Sequence, residues 1–333
     1  MIPNIHSFFN PYQGTNFVEF FLRFFERMWG LLNGSLHMTD LASDEIQVFV
    51  LSGIAASTAI VGTFLVLRKM TMLANSLSHT ILLGIVIAFV LSQQTVLGGS
   101  EGHAQPINMP LMILAALLMG FVTTFLTEVL TKVAQLQEDA SMGLVFTSLF
   151  ALGIILVTLL TRNAHIGAEV VMGNVDALHL DDLYFVLVIL AINVGVTLLF
   201  FKEFAITTFD PALARALGIS PSFFGYLLMT QVSTTSIGAF RAVGVLMVLA
   251  FITGPVLIAR FLTDNLKKML VLAVMIGCLS SIVGVALSRH LLTMYDLALS
   301  TSGVVVTTIV FFFCITLIIH YLKNRHVISI SKS

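Results

Sequence analysis

The chain has 333 residues, of which 58% are hydrophobic and only 10% are charged, and its mean hydropathy is +1.02. A soluble domain carries about 25% charged residues, so this composition excludes a soluble protein and indicates an all-α polytopic membrane helical bundle. The net charge of −1 gives no basis for nucleic-acid binding, and the two cysteines lie inside apolar runs, which argues against disulfides or a cysteine-based metal site.

The first element in chain order is an aromatic and charged segment over 17–29. Arg23, Glu26 and Arg27 stand near its centre, where a membrane span does not tolerate them, whereas a helix lying in the membrane interface does. We therefore predict an interfacial helix on the outer surface, within an N-terminal segment of residues 1–43.

Eight apolar regions follow, and seven of them are each long enough for one crossing. These seven lie at roughly 46–67, 76–98, 110–131, 141–161, 183–201, 269–288 and 303–322. The eighth, 222–259, is too long for one span and is interrupted by polar residues and Gly244, which predicts two shorter helices folding back on each other. The prediction is a bundle of about eight or nine transmembrane helices over 44–322, with a cytoplasmic tail at 323–333.

Nine crossings place most of the basic residues on one side, which the positive-inside rule assigns to the cytoplasm. These residues are Arg68, Lys69, Lys132, Lys202, Arg215, Arg260, Lys267, Lys268, Lys323 and Arg325. Arg162 and Arg289 are the exceptions and fall on the outer side.

A short polar island at 210–218 lies on this cytoplasmic side, between two apolar runs. Asp210 stands where an N-cap accepts free N–H groups, Pro211 presets the first helical turn, and Gly218 suits a left-handed helix stop. Arg215 lies on the polar side of the predicted helix. A compact capped helix of this kind is suited to docking a soluble motor, although an ordinary interfacial loop helix is the simpler interpretation of the segment alone.

Two polar residues open the second apolar run. Asn75 and His79 are four residues apart and share one helix face. A polar face at membrane depth lines a pathway or contacts a partner helix. Imidazole binds zinc, manganese and iron, while an amide oxygen is a weaker ligand, so a metal site would need further residues. A histidine hydrogen-bonded to a neighbouring helix is the simpler alternative.

A second candidate group closes the eighth predicted crossing near its outer end. His290 and Asp296 are suitable metal ligands, but six residues apart they do not share a regular helix face, so a turn would have to bring them together. A solvated outer loop is the alternative. Four more histidines fall on the same side in this topology: His37, His103, His165 and His179.

Two absences bear on catalysis. No Gly-Lys dipeptide occurs, so a Walker A phosphate loop is excluded and ATP hydrolysis by that route belongs to another subunit. No His-Glu-x-x-His motif occurs, which argues against a zinc metalloprotease. The chain is therefore not expected to be an enzyme.

Several segments together resemble the permease subunits of the ABC importers for manganese, zinc and iron. The similarity spans about 44–321, in order and with matching spacing. It is carried by a basic pair that precedes Asn75-Ser-Leu-Ser-His79, by Glu138-Asp-Ala-Ser-Met-Gly143, by Gly173-Asn-Val-Asp-Ala-Leu178, by the helix at 210–218, and by Val243-Gly244 with Gly254-Pro255-Val-Leu-Ile-Ala259-Arg260.

The resemblance implies a permease in the bacterial inner membrane, paired with a second copy or a paralogue. An ATPase subunit would bind ATP and dock on each coupling helix, at Asp210, Pro211, Arg215 and Gly218. A periplasmic or lipid-anchored metal-binding protein would deliver the manganese, zinc or iron ion. Membrane lipid is a further partner, nucleic acid is not, and no permanently bound cofactor is expected.

Carried over by position, the resemblance places His79 on the metal pathway and Asp296 near the family's last outer turn. Asn75 stands where the family usually has Asp, which removes a charge and a hard oxygen ligand. The family's Pro after the histidine is also missing, and Leu-Ser-Thr-Ser-Gly at 299–303 replaces its usual Pro-Ser-Gly-like turn.

Three other functions fit the sequence less well. A permease for a chelated metal, of the siderophore or cobalamin type, has a larger pathway that needs no metal-ligating side chains. An intramembrane enzyme needs paired catalytic groups at membrane depth, and only the face of Asn75 and His79 offers any. A membrane scaffold predicts that Asp210 and Arg215 affect assembly alone.

Overall fold

The computed structural model describes residues 10–37, 40–71, 109–160 and 175–330, and six positions at 76, 80, 83, 84, 86 and 87. Every regular element over these residues is helical. The predicted all-α class is therefore confirmed. The predicted crossing at 76–98 lies largely outside the described residues.

Eleven α-helices and one short 3-10 helix, Val175–Ala177, lie in the described ranges. The α-helices are α1 (Phe17–Leu32), α2 (Ser43–Leu67), α3 (Met109–Lys132), α4 (Glu138–Leu160), α5 (Leu180–Leu199), α6 (Phe201–Phe209), α7 (Pro211–Ala216), α8 (Pro221–Val243), α9 (Val245–Leu262), α10 (Leu266–Tyr295) and α11 (Thr301–Ile330). Within these ranges, α2, α5, α9, α10 and α11 are long and apolar enough to cross a membrane, as a polytopic membrane protein requires. α11 continues into the segment predicted as a tail.

The α2 helix is the centre of the bundle and is buried along almost its whole length. Small residues let its neighbours approach closely. Gly53 faces Val186 of α5, Gly62 lies against the backbone carbonyl of Ile252 in α9, and Gly277 of α10 lies against α2 in turn. Helices in a lipid bilayer associate through such close packing, because burying apolar surface away from lipid contributes little free energy.

The long apolar region at 222–259 forms two helices that reverse at Gly244, as predicted. α8 begins at the C-terminal end of α2, because a Cβ on Gly225 would lie 3.8 Å from Nη1 of Arg68. α9 ends at the same level, because Ala259 shares an apolar cluster with Val66 of α2. Gly244 has φ = 82°, a left-handed conformation that glycine adopts without steric cost. We call this end of the bundle, where α2 ends and α8 begins, the basic end.

The α1 helix has three distinct faces. Phe20 and Phe24 are buried against the bundle, and Glu19, Arg23 and Glu26 are exposed on a polar face. Between these two faces runs an exposed apolar row with helical spacing: Val18, Leu22, Phe25, Trp29 and Leu32. A helix with one face on protein, one apolar face and one polar face matches the predicted interfacial helix, and its position at the membrane surface stays a prediction.

Candidate coupling site and candidate metal pathway

The segment at 210–218 forms the capped helix that its sequence predicts. Asp210 Oδ1 accepts hydrogen bonds from the backbone N–H groups of Ala212 and Leu213 at 3.0 and 2.9 Å. Pro211 is the first helical residue, and Gly218 has φ = 77° just beyond the end. The helix itself covers six residues, because the chain leaves helical geometry after Ala216 and Gly218 then redirects it into α8.

The outer surface of α7 combines apolar and cationic side chains. Ala214 is fully buried and fixes the helix to the bundle, while Leu213 and Leu217 are 48% and 59% exposed. Arg215 lies exposed between them, and Phe209 extends the surface at 63% exposure. These four large exposed side chains, at the end of α6 and along α7, form a surface suited to a protein partner.

The preceding helix, α6, ties α7 to the transmembrane bundle. Phe204 is fully buried, with ring centroids 5.3 Å from Phe64 of α2 and 5.5 Å from Phe224 of α8. Arg68 donates to the hydroxyl oxygens of Thr207 and Thr208 at 2.8 and 3.1 Å. α6 therefore connects α7 to the end of α2 and the start of α8.

Arg68 lies beside a cavity at the basic end. Burial lowers the pKa of Arg68 to about 10, so its guanidinium is still charged at neutral pH. The adjoining cavity, between α2, α3 and α8, has a volume of about 310 Å³. Glu128 lines this cavity, accepts a hydrogen bond from the Tyr226 hydroxyl and pairs with Lys132. The negative charge of Glu128 is thus already balanced by its own neighbours.

The opposite end of α2 carries two buried ion pairs, and we call these two pairs the outer clamp. Asp44 of α2 accepts from Arg289 of α10, whose Nη2 lies 2.6 Å from both carboxylate oxygens. Glu45 is fully buried, accepts from Tyr12 Oη at 2.8 Å and pairs with Arg27 of α1. Bidentate contacts of this kind fix the relative orientation of the elements that carry them.

The candidate pathway residues at the end of α10 lie close to the outer clamp. His290 has ring centroids 6.3 and 6.4 Å from Phe17 and Tyr295, and its buried Nδ1 has no hydrogen-bond partner among the residues that the structure describes. Asp296 is exposed and caps α10 in a left-handed conformation with φ = 53°. The helix continues to Tyr295, so no turn separates His290 from Asp296 before the cap. Among the described residues, no group of three His, Cys, Asp or Glu side chains could hold a metal ion.

Asn75 and His79, the principal pathway candidates, lie outside the described residues, as do His103 and His165. Two described positions that follow them contact α3. Thr80, which follows His79, hydrogen-bonds with Thr123 of α3 at 3.0 Å, and Gly84 contacts Met119 of the same helix. Thr80 and Gly84 therefore both face α3.

A buried polar group at the centre of the bundle was missed by reasoning from sequence. Asn193 of α5 donates to Ser57 of α2 and to Thr235 of α8, both at 2.6 Å, and Gln231 donates to Asn193. The available signal was a lone asparagine inside the apolar run at 183–201, because such a residue needs partners in lipid. The outer clamp was also missed, although Arg289 stood out as a basic residue on the outer side.

A helical bundle in which several helices are long and apolar enough to cross a membrane defines an integral membrane protein. Residues 45–320 match the model of the ABC 3 transport family. The chain belongs to this family, and it is a multi-pass membrane protein.

Relatives and solved structures agree with this assignment. A probable metal transport system membrane protein from Chlamydia muridarum is 40% identical, covering 97% of this chain and 98% of its own. The manganese transport system membrane protein MntD of Bacillus subtilis is 36% identical, over 69% of this chain and 78% of its own. The zinc transport system membrane protein TroD of Treponema pallidum is 34% identical, over 78% and 71%.

One solved structure supports the fold. PsaBC from Streptococcus pneumoniae, in complex with Fab, aligns with a TM-score of 0.66 at 24% identity, over 81% of this chain and 89% of the other. At this level of identity the match supports the arrangement of helices alone.

Proposed function

We propose that this chain is the permease subunit of an ABC importer that moves manganese, zinc or iron ions across a bacterial inner membrane. A separate ATPase subunit docks on the coupling segment at 210–218. The observation that carries the proposal is the capped, exposed α7, which is anchored to α2 and α8 through α6. Relatives named for manganese and zinc transport support the choice of cargo.

The mechanism follows from the anchoring of α7. ATP binding draws two ATPase subunits together and displaces the α7 helices that they hold. Leu213, Leu217 and Arg215 form the contact, and Asp210 with Pro211 keeps the helix intact under load. Because Arg68 joins α6 to the end of α2, the displacement reaches the bundle core at the basic end first.

The metal ion passes His79 and Asn75, after entering near His290 and Asp296. An amide in place of a carboxylate weakens the site, and a transport site must release its ion as well as bind it. The unpartnered Nδ1 of His290 is available to a passing ion. A metal-binding protein delivers the ion, and a second copy of the chain or a paralogue completes the pathway.

Metal uptake into proteoliposomes tests the proposal. The vesicles contain this chain, its ATPase and its binding protein, and uptake of radioactive manganese, zinc and iron is compared between wild type and His79→Ala. We expect the mutant to lose uptake of the physiological ion while assembly and basal ATPase activity are retained. His37→Ala is the matched control, because His37 is exposed on the N-terminal segment, and it should transport normally.

Two other outcomes contradict parts of the proposal. Unchanged uptake by His79→Ala removes this residue from the pathway. No uptake of any free ion by wild type, despite ATPase activity stimulated by the binding protein, identifies the chain as a permease for a chelated metal.

A further inference from the structure

A second cavity opens at the basic end, between the end of α9 and the middle of α11. Its volume is about 600 Å³. Arg260, Phe261 and Asp264 line it from the α9 side, and His320 and Lys323 line it from α11. It is distinct from the cavity beside Arg68 and shares no lining residue with it.

The cations of this cavity are available for a ligand. Arg260 and Lys323 are exposed, and neither makes a hydrogen bond or an ion pair within the described part of the chain. Asp264 lines the same cavity but pairs with neither. The lining therefore carries two permanent positive charges against one negative charge. The His320 ring packs on Phe261, with centroids 5.3 Å apart.

The surface that continues from the cavity along α11 is apolar. Large hydrophobic side chains that are 38–60% exposed follow this helix: Phe311, Ile315, Ile318, Ile319 and Leu322. Leu262 of α9, at 53% exposure, lies on the cavity wall itself. On a membrane-crossing helix, an exposed apolar surface of this kind faces the acyl chains of the bilayer.

We propose that this cavity binds the phosphate headgroup of an anionic phospholipid of the cytoplasmic leaflet. Arg260 and Lys323 neutralise the phosphate, and the acyl chains lie along the exposed face of α11. The position supports a lipid, because the cationic lining begins where the apolar helix surface ends. Basic pockets between transmembrane helices on the cytoplasmic side are recognised sites for anionic headgroups. The proposal does not depend on the transported ion.

Lipid retention by the purified full-length protein tests this inference. The protein is reconstituted with equal amounts of phosphatidylglycerol and phosphatidylcholine of identical chains, extracted in detergent, and its retained lipid is quantified by mass spectrometry. We expect the wild type to retain phosphatidylglycerol preferentially. Arg260→Gln/Lys323→Gln should lose this preference about tenfold, because each basic residue near an anionic leaflet contributes to binding.

The matched control removes two charges from the same end without touching the cavity. Lys267→Gln/Lys268→Gln changes exposed lysines in the first turn of α10, outside the cavity lining, and should retain wild-type preference. An equal loss in both double variants would mean general electrostatic attraction and would overturn the proposal. If inorganic phosphate alone releases the bound phosphatidylglycerol, the cavity is a site for free phosphate, and this result would also overturn the lipid proposal.

Two further variants keep the inference testable if the double glutamine variant does not fold. Arg260→Lys preserves the charge and should keep most of the preference for phosphatidylglycerol. Asp264→Asn removes the carboxylate of the cavity and should raise the preference several-fold. Unchanged retention in Asp264→Asn would contradict a headgroup bound at this position.

Discussion

The two ends of the α2 helix are held in different ways. At its N-terminal end, two adjacent carboxylates are buried and each is paired with an arginine from another helix, Asp44 with Arg289 and Glu45 with Arg27. At its C-terminal end, Arg68 contacts two threonine hydroxyls within the described residues. One end is closed by pairs of opposite charges, and the other is held by hydrogen bonds from Arg68 to uncharged hydroxyls and by aromatic contacts.

This difference predicts which end of α2 rearranges more easily. Breaking a buried ion pair leaves an uncompensated charge and is costly, so the outer clamp fixes α1, α2 and α10 relative to one another. A hydrogen bond from Arg68 to a hydroxyl can be exchanged for another polar partner at little cost. We therefore expect the basic end to rearrange more easily than the outer clamp, and five variants break or sharpen this comparison.

The largest effect is expected at the outer clamp. Asp44→Ala leaves Arg289 partly buried without its carboxylate, and we expect a loss of about 3–5 kcal/mol in the free energy of unfolding. Reversible unfolding in detergent micelles measures it. Asp44→Ala/Arg289→Met should recover part of the loss, because no unpaired charge remains. Asp296→Ala is the control, because Asp296 is exposed. An equally large loss of unfolding free energy in this variant would refute the stabilising role of the outer clamp.

Close packing of α2 against α9 gives the next effect. In Gly62→Ala, the added Cβ would overlap the backbone carbonyl of Ile252, and a backbone atom cannot move aside as a flexible side chain can. We expect about 1–3 kcal/mol of destabilisation. Gly195→Ala is the matched control, because no atom lies within 4 Å of its added Cβ, and equal destabilisation of both variants would contradict the close approach.

A charge on the exposed face of α7 should weaken the ATPase complex without unfolding the bundle. In Leu213→Glu, the carboxylate replaces a half-exposed apolar contact, and we expect about a tenfold weaker association. Co-purification with the ATPase, titrated by its concentration, measures the effect. Leu136→Glu is the control at the same end, since Leu136 is 38% exposed on the connection after α3, and an equal loss there would argue against α7 as the docking site.

Removing the cap of α7 should have a smaller and local effect. Asp210→Ala deletes the acceptor of two backbone hydrogen bonds and should lower the local stability of α7 by about 1 kcal/mol. Faster amide hydrogen exchange over 211–216 reports it. Asp210→Asn keeps an acceptor and should restore most of the protection. The control is Asn265→Ala, which removes the N-cap of α10 and should leave amide exchange over 211–216 unchanged. Faster exchange over 211–216 in this control would show that the effect of Asp210 is not local.

The smallest expected effect is a pH dependence at the outer clamp. Burial, together with the hydrogen bond to Glu45, raises the pKa of Tyr12 above its usual value of 10.0. The stability that the neutral phenol contributes is therefore fully present below pH 10 and is lost as the pH rises above 10. The free energy of unfolding should fall by about 0.8 kcal/mol at about pH 10.5. Tyr12→Phe should remove this slope from the unfolding free energy. An unchanged slope would show that Tyr12 is not its source.

Structural features that are encoded by residues close together in the sequence could be predicted. Asp210, Pro211 and Gly218 encode the start and the stop of α7 in nine residues, because capping and backbone preferences act over one turn. Gly244 marked the reversal between α8 and α9 for the same reason. The apolar runs predicted membrane-crossing helices, because the bilayer sets the length and the composition of a span.

The contacts that hold those helices together were decided by the tertiary structure. Asp44 and Arg289 are separated by 245 positions, and Asn193 bonds with Ser57 and Thr235 on two other helices. Local sequence contains no information on which of many distant side chains will meet, because the pairing depends on the packing of whole helices. The sequence by itself determined the class of protein, its all-α fold and the shape of the capped segment at 210–218. The tertiary structure alone decided that one end of α2 is held by ion pairs and the other by hydrogen bonds to hydroxyls, because each contact joins residues far apart in the chain.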